Sequence, residues 1–356
     1  MNAEETVGKM LGDAVALTEL ASAWLGVRLG LYEALAEGAA DARTLAERAG
    51  VHPRYAREWL EQQGVAGMVE IAEDHEDPYA RRFSLGEGPA TVLLDADSPY
   101  YMGTLPGFAL SMAEATPRVA GAFRSGGGVP FSAYGEGARH GIGGLNRADF
   151  LTFAAEWVAT LPDVRERLAG GAGRILDLGC GTGWSSIALA EAFPGALVDG
   201  IDLDERSVKE AGEHALTRGL DGRVTFRHGD AAEIVRTAAG SYDLVCLFQA
   251  LHDMADPVAV LRTARGLLAP GGAVLIGDQR VADGYGAVGD LMERLNYGCS
   301  VLHCLPATRA EGTAVEAGTV LRAGTVREYA AEAGYGGFAE LPIEHDVWRF
   351  YRLDAV

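Results

Sequence analysis

The chain has 356 residues, of which 48% are hydrophobic, enough for two domains or for one large domain with an appendage. Its formal net charge of −20 at pH 7 disfavours binding to nucleic acid and to anionic membranes. The four cysteines include no Cys-x-x-Cys pair, no charged leader opens the chain and no long apolar run is evident. We therefore expect a reduced, cytoplasmic protein that contacts neither nucleic acid nor membrane.

The first ninety residues have the pattern of a winged helix. Apolar residues recur at helical spacing from 11 to 36, and two short helices are predicted over 41–50 and 54–63. Two short strands, 65–71 and 79–85, follow on either side of an acidic turn. The order helix, turn, helix and two-stranded wing predicts a mostly helical, winged-helix-like domain over residues 1–90.

The charge of this domain argues against the DNA binding that a winged helix suggests. Residues 1–90 carry 8 Lys and Arg against 16 Asp and Glu, whereas a domain that reads DNA needs a basic face. We expect a dimerisation domain instead, with the apolar helix 11–36 partly buried against a second copy of the chain.

Residues 91–147 are predicted to form a helical linker that covers the substrate. Glycine and proline interrupt the helical pattern, and the stretch 140–144 is predicted to be loose. Tyr134 follows the glycine-rich joint 125–129. Because loop tyrosines near a site often cover the ligand, Tyr134 is the predicted lid contact.

From residue 148 to residue 356, strands and helices alternate. Strands are predicted at 174–178, 197–201, 223–227, 242–247 and 273–278. A helix over 287–304, an open loop over 305–324 and a final hairpin follow. This alternation predicts an α/β domain with a Rossmann-like, doubly wound, mostly parallel sheet. Ligands of such sheets bind at the carboxyl ends of the strands.

The first of these strands leads into a glycine-rich turn that reads Asp-Leu-Gly-Cys-Gly-Thr-Gly from Asp177 to Gly183. Glycines let backbone approach a ligand closely, and the helix that follows directs its N-terminus at the ligand. Asp202 and Asp230 end the next two strands. The spacing Gly-x-Gly-x-Gly differs from the Gly-x-Gly-x-x-Gly of dinucleotide sites. Together these motifs resemble the class I S-adenosylmethionine (SAM) methyltransferases, in particular small-molecule enzymes with a winged-helix-like dimerisation domain.

The resemblance implies how the chain holds SAM. Asp177 and the glycines hold the methionine end, and Asp202 accepts the ribose hydroxyls. Asp230 accepts from the adenine amino group, and Phe248 or the neighbouring apolar residues lie against the adenine ring. The predicted cofactor-binding residues are Asp177, Gly179, Gly181, Gly183, Asp202, Leu203, Gly229, Asp230, Ala231, Phe248 and Gln249.

A second motif, Leu251-His252-Asp253, lies just beyond the fourth strand. Resemblance to the plant-type O-methyltransferases implies that the His-Asp pair supplies a general base. A neutral imidazole can take a hydroxyl proton as the oxygen attacks the methyl group. We therefore predict His252 and Asp253 as catalytic, together with Tyr134.

A third candidate, His303, ends the helix predicted before the final hairpin. Two histidines and one carboxylate around a cavity can form a metal-binding facial triad. His252, Asp253 and His303 stand where the phenylpyruvate type of 2-oxo acid C-methyltransferase, which this sequence also resembles, carries its ligands. A 2-oxo acid would chelate the implied ion, iron or zinc, and the ion would stabilise the enolate of that acid.

Our first hypothesis is therefore metal-assisted C-methylation of a small 2-oxo acid by a homodimer. Metal-free O-methylation with His252 as base is the main alternative. A SAM-responsive transcription factor, and a methyltransferase fold that catalyses another reaction such as a cyclisation, also stay open.

Overall fold

The computed structural model describes residues 1–230, 240–286, 289–312, 315 and 317–355. These residues form two compact units, one of 1–110 with 140–148 and the other of 111–139 with 149–356. The structure thus divides the predicted linker 91–147 between both units. Helix α6 (Leu105–Ser125) runs across the division after residue 110, and α7 (Gly135–Ala159) runs through the boundary that was expected between residues 147 and 148.

The first unit is the predicted winged helix. Gly30, at φ 67°, splits the helix expected over 11–36 into two, and the aromatic pair Tyr32 and Trp59 packs edge to face in the core. The elements are α1 (Ala3–Arg28), α2 (Leu31–Ala36), α3 (Ala42–Ala49), α4 (Pro53–Val65), the wing strands β1 (Glu70–Glu73) and β2 (Arg82–Ser84), and α5 (Glu87–Leu94).

Helix α1 leaves most of its apolar side chains exposed within the chain. Those at least one-third exposed are Val7, Met10, Leu11, Val15, Leu17, Trp24 and Leu25. By length and composition α1 could also cross a membrane, which differs from the expectation of no long apolar run. Core helices and signal sequences meet the same criterion, so this observation is weak evidence for a membrane span.

The predicted loose stretch 140–144 lies instead inside α7. A Cβ atom added to Gly141 would lie 2.5 Å from Phe108, and one added to Gly144 would lie 2.6 Å from Thr104. These glycines therefore let α7 approach Phe108 and Thr104 closely, and they do not interrupt the helix.

The second unit is built on a seven-stranded sheet with the order β5-β4-β3-β6-β7-β9-β8. Neighbours among β3 to β7 pair in parallel, whereas β9 pairs antiparallel with β7 and β8. The strands are β3 (Arg174–Leu178), β4 (Leu197–Asp202), β5 (Val224–His228), β6 (Tyr242–Phe248), β7 (Leu268–Gln279), β8 (Gly337–Glu340) and β9 (Trp348–Asp354). The Rossmann-like prediction is confirmed.

Helices accompany this sheet, and successive residues of its strands enter different hydrophobic clusters. Ile175 packs into one cluster, whereas Leu176 and Leu178 pack into the other, because alternate side chains of a strand face opposite sides. The helices are α8 (Pro162–Arg167), α9 (Trp184–Ala192), α10 (Glu205–Thr217), α11 (Pro257–Leu267), α12 (Leu291–Cys299), α13 (Leu305–Ala310) and α14 (Ala323–Glu332). Helix α13 lies where an open loop was expected.

A bidentate ion pair joins α8 to β9 and makes a testable contribution to stability. Arg352 donates to both carboxylate oxygens of Asp163 at 2.7 and 2.6 Å. The hydrogen bonds from Arg352 lower the pKa of Asp163 to about 2. The contribution of this ion pair to the free energy of unfolding is therefore present above the unfolded-state pKa of about 4, and it is lost as the pH falls towards 2.

We expect Asp163→Asn to lower the free energy of unfolding at pH 7 by about 1 kcal/mol or less, because the pair is partly solvated. Urea unfolding should show that the difference from the parent protein shrinks by about pH 2. A difference of equal size at both pH values would contradict this assignment.

Candidate active site

The glycine-rich turn after β3 has the backbone that its sequence requires. Gly179, Gly181 and Gly183 have φ values of 75°, 51° and 84°. A Cβ atom on Gly179 would lie 2.6 Å from Ala250, whereas one on Gly181 would meet nothing within 4 Å. The flanking glycines are thus needed for packing, and the middle one faces open space where a ligand has room.

This difference predicts distinct effects for two matched substitutions. Gly181→Ala should lower the free energy of unfolding by about 1–2 kcal/mol, the cost of the left-handed backbone, and weaken SAM binding at least about tenfold by filling the open space. Gly183→Ala should lower it further, by about 2–4 kcal/mol, because its Cβ would lie 2.7 Å from Ala211 and Phe226. Thermal unfolding measures the stability of each variant, and calorimetry measures its SAM binding. Equal destabilisation of the two variants would contradict the different roles assigned to Gly181 and Gly183.

Asp177, predicted to hold the methionine end, ties this turn to α9. It is fully buried, and its Oδ2 accepts from the hydroxyls of Ser185 and Ser186 at 2.5 and 2.6 Å. Burial raises the pKa of Asp177 to about 6. Its Oδ1 has no hydrogen-bond partner among the described residues, so this buried oxygen can still accept from a ligand.

The end of β4 meets the same turn. One oxygen of Asp202 accepts from the Gly181 amide and the other from the Asp204 amide, both at 2.8 Å. Burial raises the pKa of Asp202. Leu203 is 52% exposed and offers apolar surface beside this carboxylate.

The end of β5 also reaches Asp202. The Gly229 amide donates to the Asp202 carbonyl at 3.0 Å, and a Cβ atom on Gly229 would meet nothing within 4 Å. Asp230 follows directly, and Ala231 lies outside the described residues. The predicted ribose and adenine ligands therefore come together at one edge of the sheet.

The chain leaves β6 through a strained residue. Gln249 has φ 47° and is, among the described residues, the one non-glycine with a positive φ. Its amide donates to the Gly277 carbonyl at 2.7 Å, which holds the end of β6 against β7. Such strain is typical of functional sites. A short 3-10 turn, Leu251–Asp253, follows and presents His252.

Phe248, which is predicted to lie against the adenine ring, packs against other aromatic side chains of the protein. Its ring packs with Phe150, Trp157 and Trp348, at centroid distances of 5.5 to 6.3 Å, within a buried aromatic cluster. The described contacts of Phe248 thus belong to the hydrophobic core, and the adenine contact stays a prediction.

His252 is held by a carboxylate that the sequence analysis missed. Its Nδ1 lies 2.6 Å from Oδ1 of Asp278, and the two residues are 3% and 1% exposed. Asp278 is the second-last residue of β7, the parallel neighbour of β6, so adjacent strand ends bring the two side chains together. The sequence feature that could have revealed Asp278 is its position as an acidic residue at the end of the fifth predicted strand, 273–278.

Nε2 of His252 is the ring nitrogen left for chemistry. It lies 3.5 Å from Oδ1 of Asp253. Burial lowers the pKa of His252, but the nearby carboxylates of Asp253 and Asp278 outweigh burial and raise that pKa well above 6.5. The imidazole is therefore a stronger base than a free histidine.

His303 and the adjacent Cys304 lie in a π-helical turn, Ser300–Cys304, that continues α12. Both are buried, at 1% and 6% exposure, and burial raises the pKa of the Cys304 thiol to about 11 while it lowers that of His303. Single π-turns in helices frequently occur at functional sites.

Potential metal-ligand atoms of His252, Asp253 and Cys304 lie within 4.8 Å of one another. His303, the predicted third ligand, is not in this group. Its Nδ1 lies 3.5 Å from the Cys304 sulfur, and its ring packs against Tyr134 and Phe131. The structure therefore places a thiol, which the sequence analysis passed over, where a second imidazole was expected.

Tyr134, the predicted lid contact, is buried and does not lie on an open loop. Its hydroxyl donates to the Leu302 carbonyl at 2.7 Å, and its ring contacts His303 at 4.6 Å between centroids. Nearby, the Val129 amide donates to the Pro306 carbonyl at 2.9 Å. Tyr134 thus supports the π-helical turn, and a contact with substrate stays a prediction.

Comparison with known families agrees with both units. Residues 16–93 match the model of an Rv2258c-like winged HTH domain, and residues 170–327 match that of a methyltransferase domain. The chain thus matches a methyltransferase domain over residues 170–327 and, before it, a winged helix over residues 16–93. The glycine turn and the His252–Asp278 pair both lie in the methyltransferase domain.

Curated relatives match the methyltransferase part. The 27-O-demethylrifamycin SV methyltransferase of Amycolatopsis mediterranei is 39% identical over 105 residues, 30% of this chain and 38% of that protein. The ubiquinone biosynthesis O-methyltransferase of Bordetella avium is 43% identical over 101 residues, 28% of this chain and 40% of that protein. The chain thus spans about two fifths of the length of these relatives.

Solved structures share the fold over nearly the whole chain. Mitomycin 7-O-methyltransferase has a TM-score of 0.72 and 22% identity, covering 99% of this chain and 98% of that one. Human N-acetylserotonin methyltransferase, solved in complex with SAM, has a TM-score of 0.71 and 17% identity, covering 99% of each chain. At these identities the likeness establishes the fold.

Proposed function

We propose that this protein transfers a methyl group from SAM to a hydroxyl oxygen of a small molecule. The observation that carries the proposal is the buried His252–Asp278 pair, which lies next to the glycine turn. Ala250, two residues before His252, is the residue against which Gly179 packs. The relatives named as O-methyltransferases support the same reaction.

The described residues fit SAM. Gly181 and Gly229 face open space, Asp177 has an oxygen without a partner among the described residues, and Asp202 lies at the strand end between them. SAM supplies, when bound, a methyl group already activated by a sulfonium. The chain must therefore hold the acceptor in line, exclude water and remove one proton.

His252 is the residue that we propose to remove this proton. Because Nδ1 faces Asp278 at 2.6 Å, the carboxylate favours the tautomer with its proton on Nδ1 and a lone pair on Nε2. Nε2 takes the acceptor proton as the oxygen–carbon bond forms, and Asp278 stabilises the imidazolium that results.

Metal-assisted C-methylation of a 2-oxo acid is the second candidate. The donor group of His252, Asp253 and Cys304 favours it, since an ion there would polarise a chelating acceptor. The names of the relatives favour O-methylation. Loss of methyl transfer with a chelator, and its return with metal, would select the second candidate.

We also propose that the protein is a cytoplasmic homodimer that binds neither nucleic acid nor membrane. The exposed apolar side chains of α1 support a contact with a second copy, and the acidic winged helix disfavours a transcription factor. Light scattering should show a dimer for the parent protein and a monomer for a variant with both Leu11→Glu and Val15→Glu. A monomeric parent protein would contradict the proposed dimer.

The function is tested in two steps. Calorimetry should first show that SAM and its demethylated product bind, and that Asp202→Ala weakens both. Labelled methyl groups should then pass to members of a panel of phenols, enols and 2-oxo acids, with the product analysed for oxygen or carbon methylation. A purified, folded protein that binds neither form of the cofactor would exclude the proposal.

A further inference from the structure

Three different donor atoms from two separate segments, one of them from the proposed base His252, lie close together. His252 and Asp253 come from the turn after β6, and Cys304 comes from the π-helical turn after α12. Potential ligand atoms of the three lie within 4.8 Å of one another. A nitrogen, an oxygen and a sulfur at this range are the donor types that a zinc-like ion takes.

The spacing requires only a small closure around an ion. Zinc bonds of about 2.0–2.3 Å place tetrahedral ligands roughly 3.3–3.7 Å apart. Nε2 of His252 and Oδ1 of Asp253 are 3.5 Å apart and already meet this spacing. The Cys304 sulfur, within 4.8 Å, needs to move by about 1 Å at most.

The second ring nitrogen of His252 is held as in known zinc sites. Metal-binding histidines usually direct the other ring nitrogen at a carboxylate or carbonyl, which fixes the tautomer and raises the basicity of the ligand atom. Asp278, 1% exposed and 2.6 Å from Nδ1, provides this interaction. The other nitrogen, Nε2, then lies 3.5 Å from Oδ1 of Asp253.

Asp253 contributes a carboxylate oxygen, Oδ1, that lies in ion-pair range of His252, on a side chain that is 36% exposed. Its Oδ1 is buried and has no hydrogen-bond partner among the described residues. Leaving a buried carboxylate oxygen unsatisfied is costly unless a cation or a donor occupies the space in front of it. This oxygen is the atom that faces Nε2 of His252.

The set of donors selects the class of ion. Thiolate and imidazole ligands favour borderline ions such as Zn²⁺ and Co²⁺, whereas Mg²⁺ and Ca²⁺ prefer oxygen donors alone. Three protein ligands leave a fourth position open to water or another small ligand. The thiol loses its proton when the ion binds.

We propose that His252, Asp253 and Cys304 form a binding site for a borderline divalent cation of the zinc type, with Cys304 and not His303 as the third ligand. Ion binding can be measured without a methyl donor or an acceptor, so the test of the site does not depend on the proposed methyl transfer. Occupation by an ion and the use of His252 as a base exclude each other, since both need the lone pair of Nε2.

The test is a titration of the metal-free full-length protein with Co²⁺ in a buffer without thiols. A sulfur-to-cobalt charge-transfer band should grow and saturate at one ion per chain, and added Zn²⁺ should abolish it. Cys304→Ser should lose the band and weaken Co²⁺ binding at least about tenfold.

Two matched variants identify the ligands. Cys299→Ser removes a nearby thiol, and His303→Ala removes the alternative imidazole; both should keep the band. Absence of the band in the folded parent protein, or its persistence in Cys304→Ser, would overturn the site. Loss of the band in His303→Ala but not in Cys304→Ser would restore the ligand set expected from sequence. Calorimetry with SAM is run on each variant, so that failure of the metal site and failure of the proposed function are seen separately.

Discussion

Replacement of His252 by alanine is expected to lower the rate of methyl transfer to a hydroxyl acceptor by about 10²–10⁴-fold, the usual contribution of a general base. SAM binding should change little, because the imidazole bonds to Asp278, which is not among the predicted cofactor-binding residues. The rate is measured under saturating SAM, with binding followed separately by calorimetry.

The matched control is His75→Ala, which removes an exposed imidazole from the wing of the other unit and should leave the rate unchanged. The parent protein offers a second readout. Because Asp253 and Asp278 raise the pKa of His252, its neutral form accumulates only above the usual value of 6.5, and the rate should rise with pH into the alkaline range. A His252→Ala variant with the parent rate would exclude this base.

Replacement of Asp278 by asparagine is expected to cost almost as much, about 10²–10⁴-fold in kcat, with a smaller change in the KM of the acceptor. An asparagine amide can donate to Nδ1 and so favour the tautomer whose proton sits on Nε2. The lone pair that should take the acceptor proton is then lost. Steady-state kinetics of the folded variant measure both constants.

Two further readouts separate this positioning role from a structural one. Loss of the carboxylate should shift the pH profile of the rate to lower pH, because the pKa of His252 falls when a neighbouring negative charge is removed. Asp278→Glu keeps the charge and should recover part of the rate. An unchanged kcat in Asp278→Asn, or a pH profile that does not move, would argue that Asp278 only supports packing.

The sequence alone was sufficient where local rules apply. Glycines at 179, 181 and 183 between a buried strand and a helix allow few backbone conformations, and all three adopt the positive φ that such turns use. Alternation of strands and helices predicted the parallel sheet, and the helix-turn-helix order with its wing predicted the first unit. In these cases neighbours in sequence decide the structure.

The sequence was misleading where packing between distant segments overrides local preference. Glycines 141 and 144 lower helix propensity, yet they lie inside α7 because close contact with Phe108 and Thr104 requires small residues. Tyr134 reads as an exposed loop residue, but its hydroxyl bonds to the Leu302 carbonyl, 168 residues away. No local pattern carries that information.

The sequence by itself determined that a histidine and an aspartate follow the strand beside the glycine turn, because strand ends in a parallel sheet share one edge. Only the tertiary structure decided which groups surround His252. Asp278 reaches Nδ1 because β6 and β7 are neighbours in the sheet, although their order in space is not written in either strand. Cys304, and not His303, offers a donor atom near those of His252 and Asp253, because the fold brings together two segments that are distant in the chain.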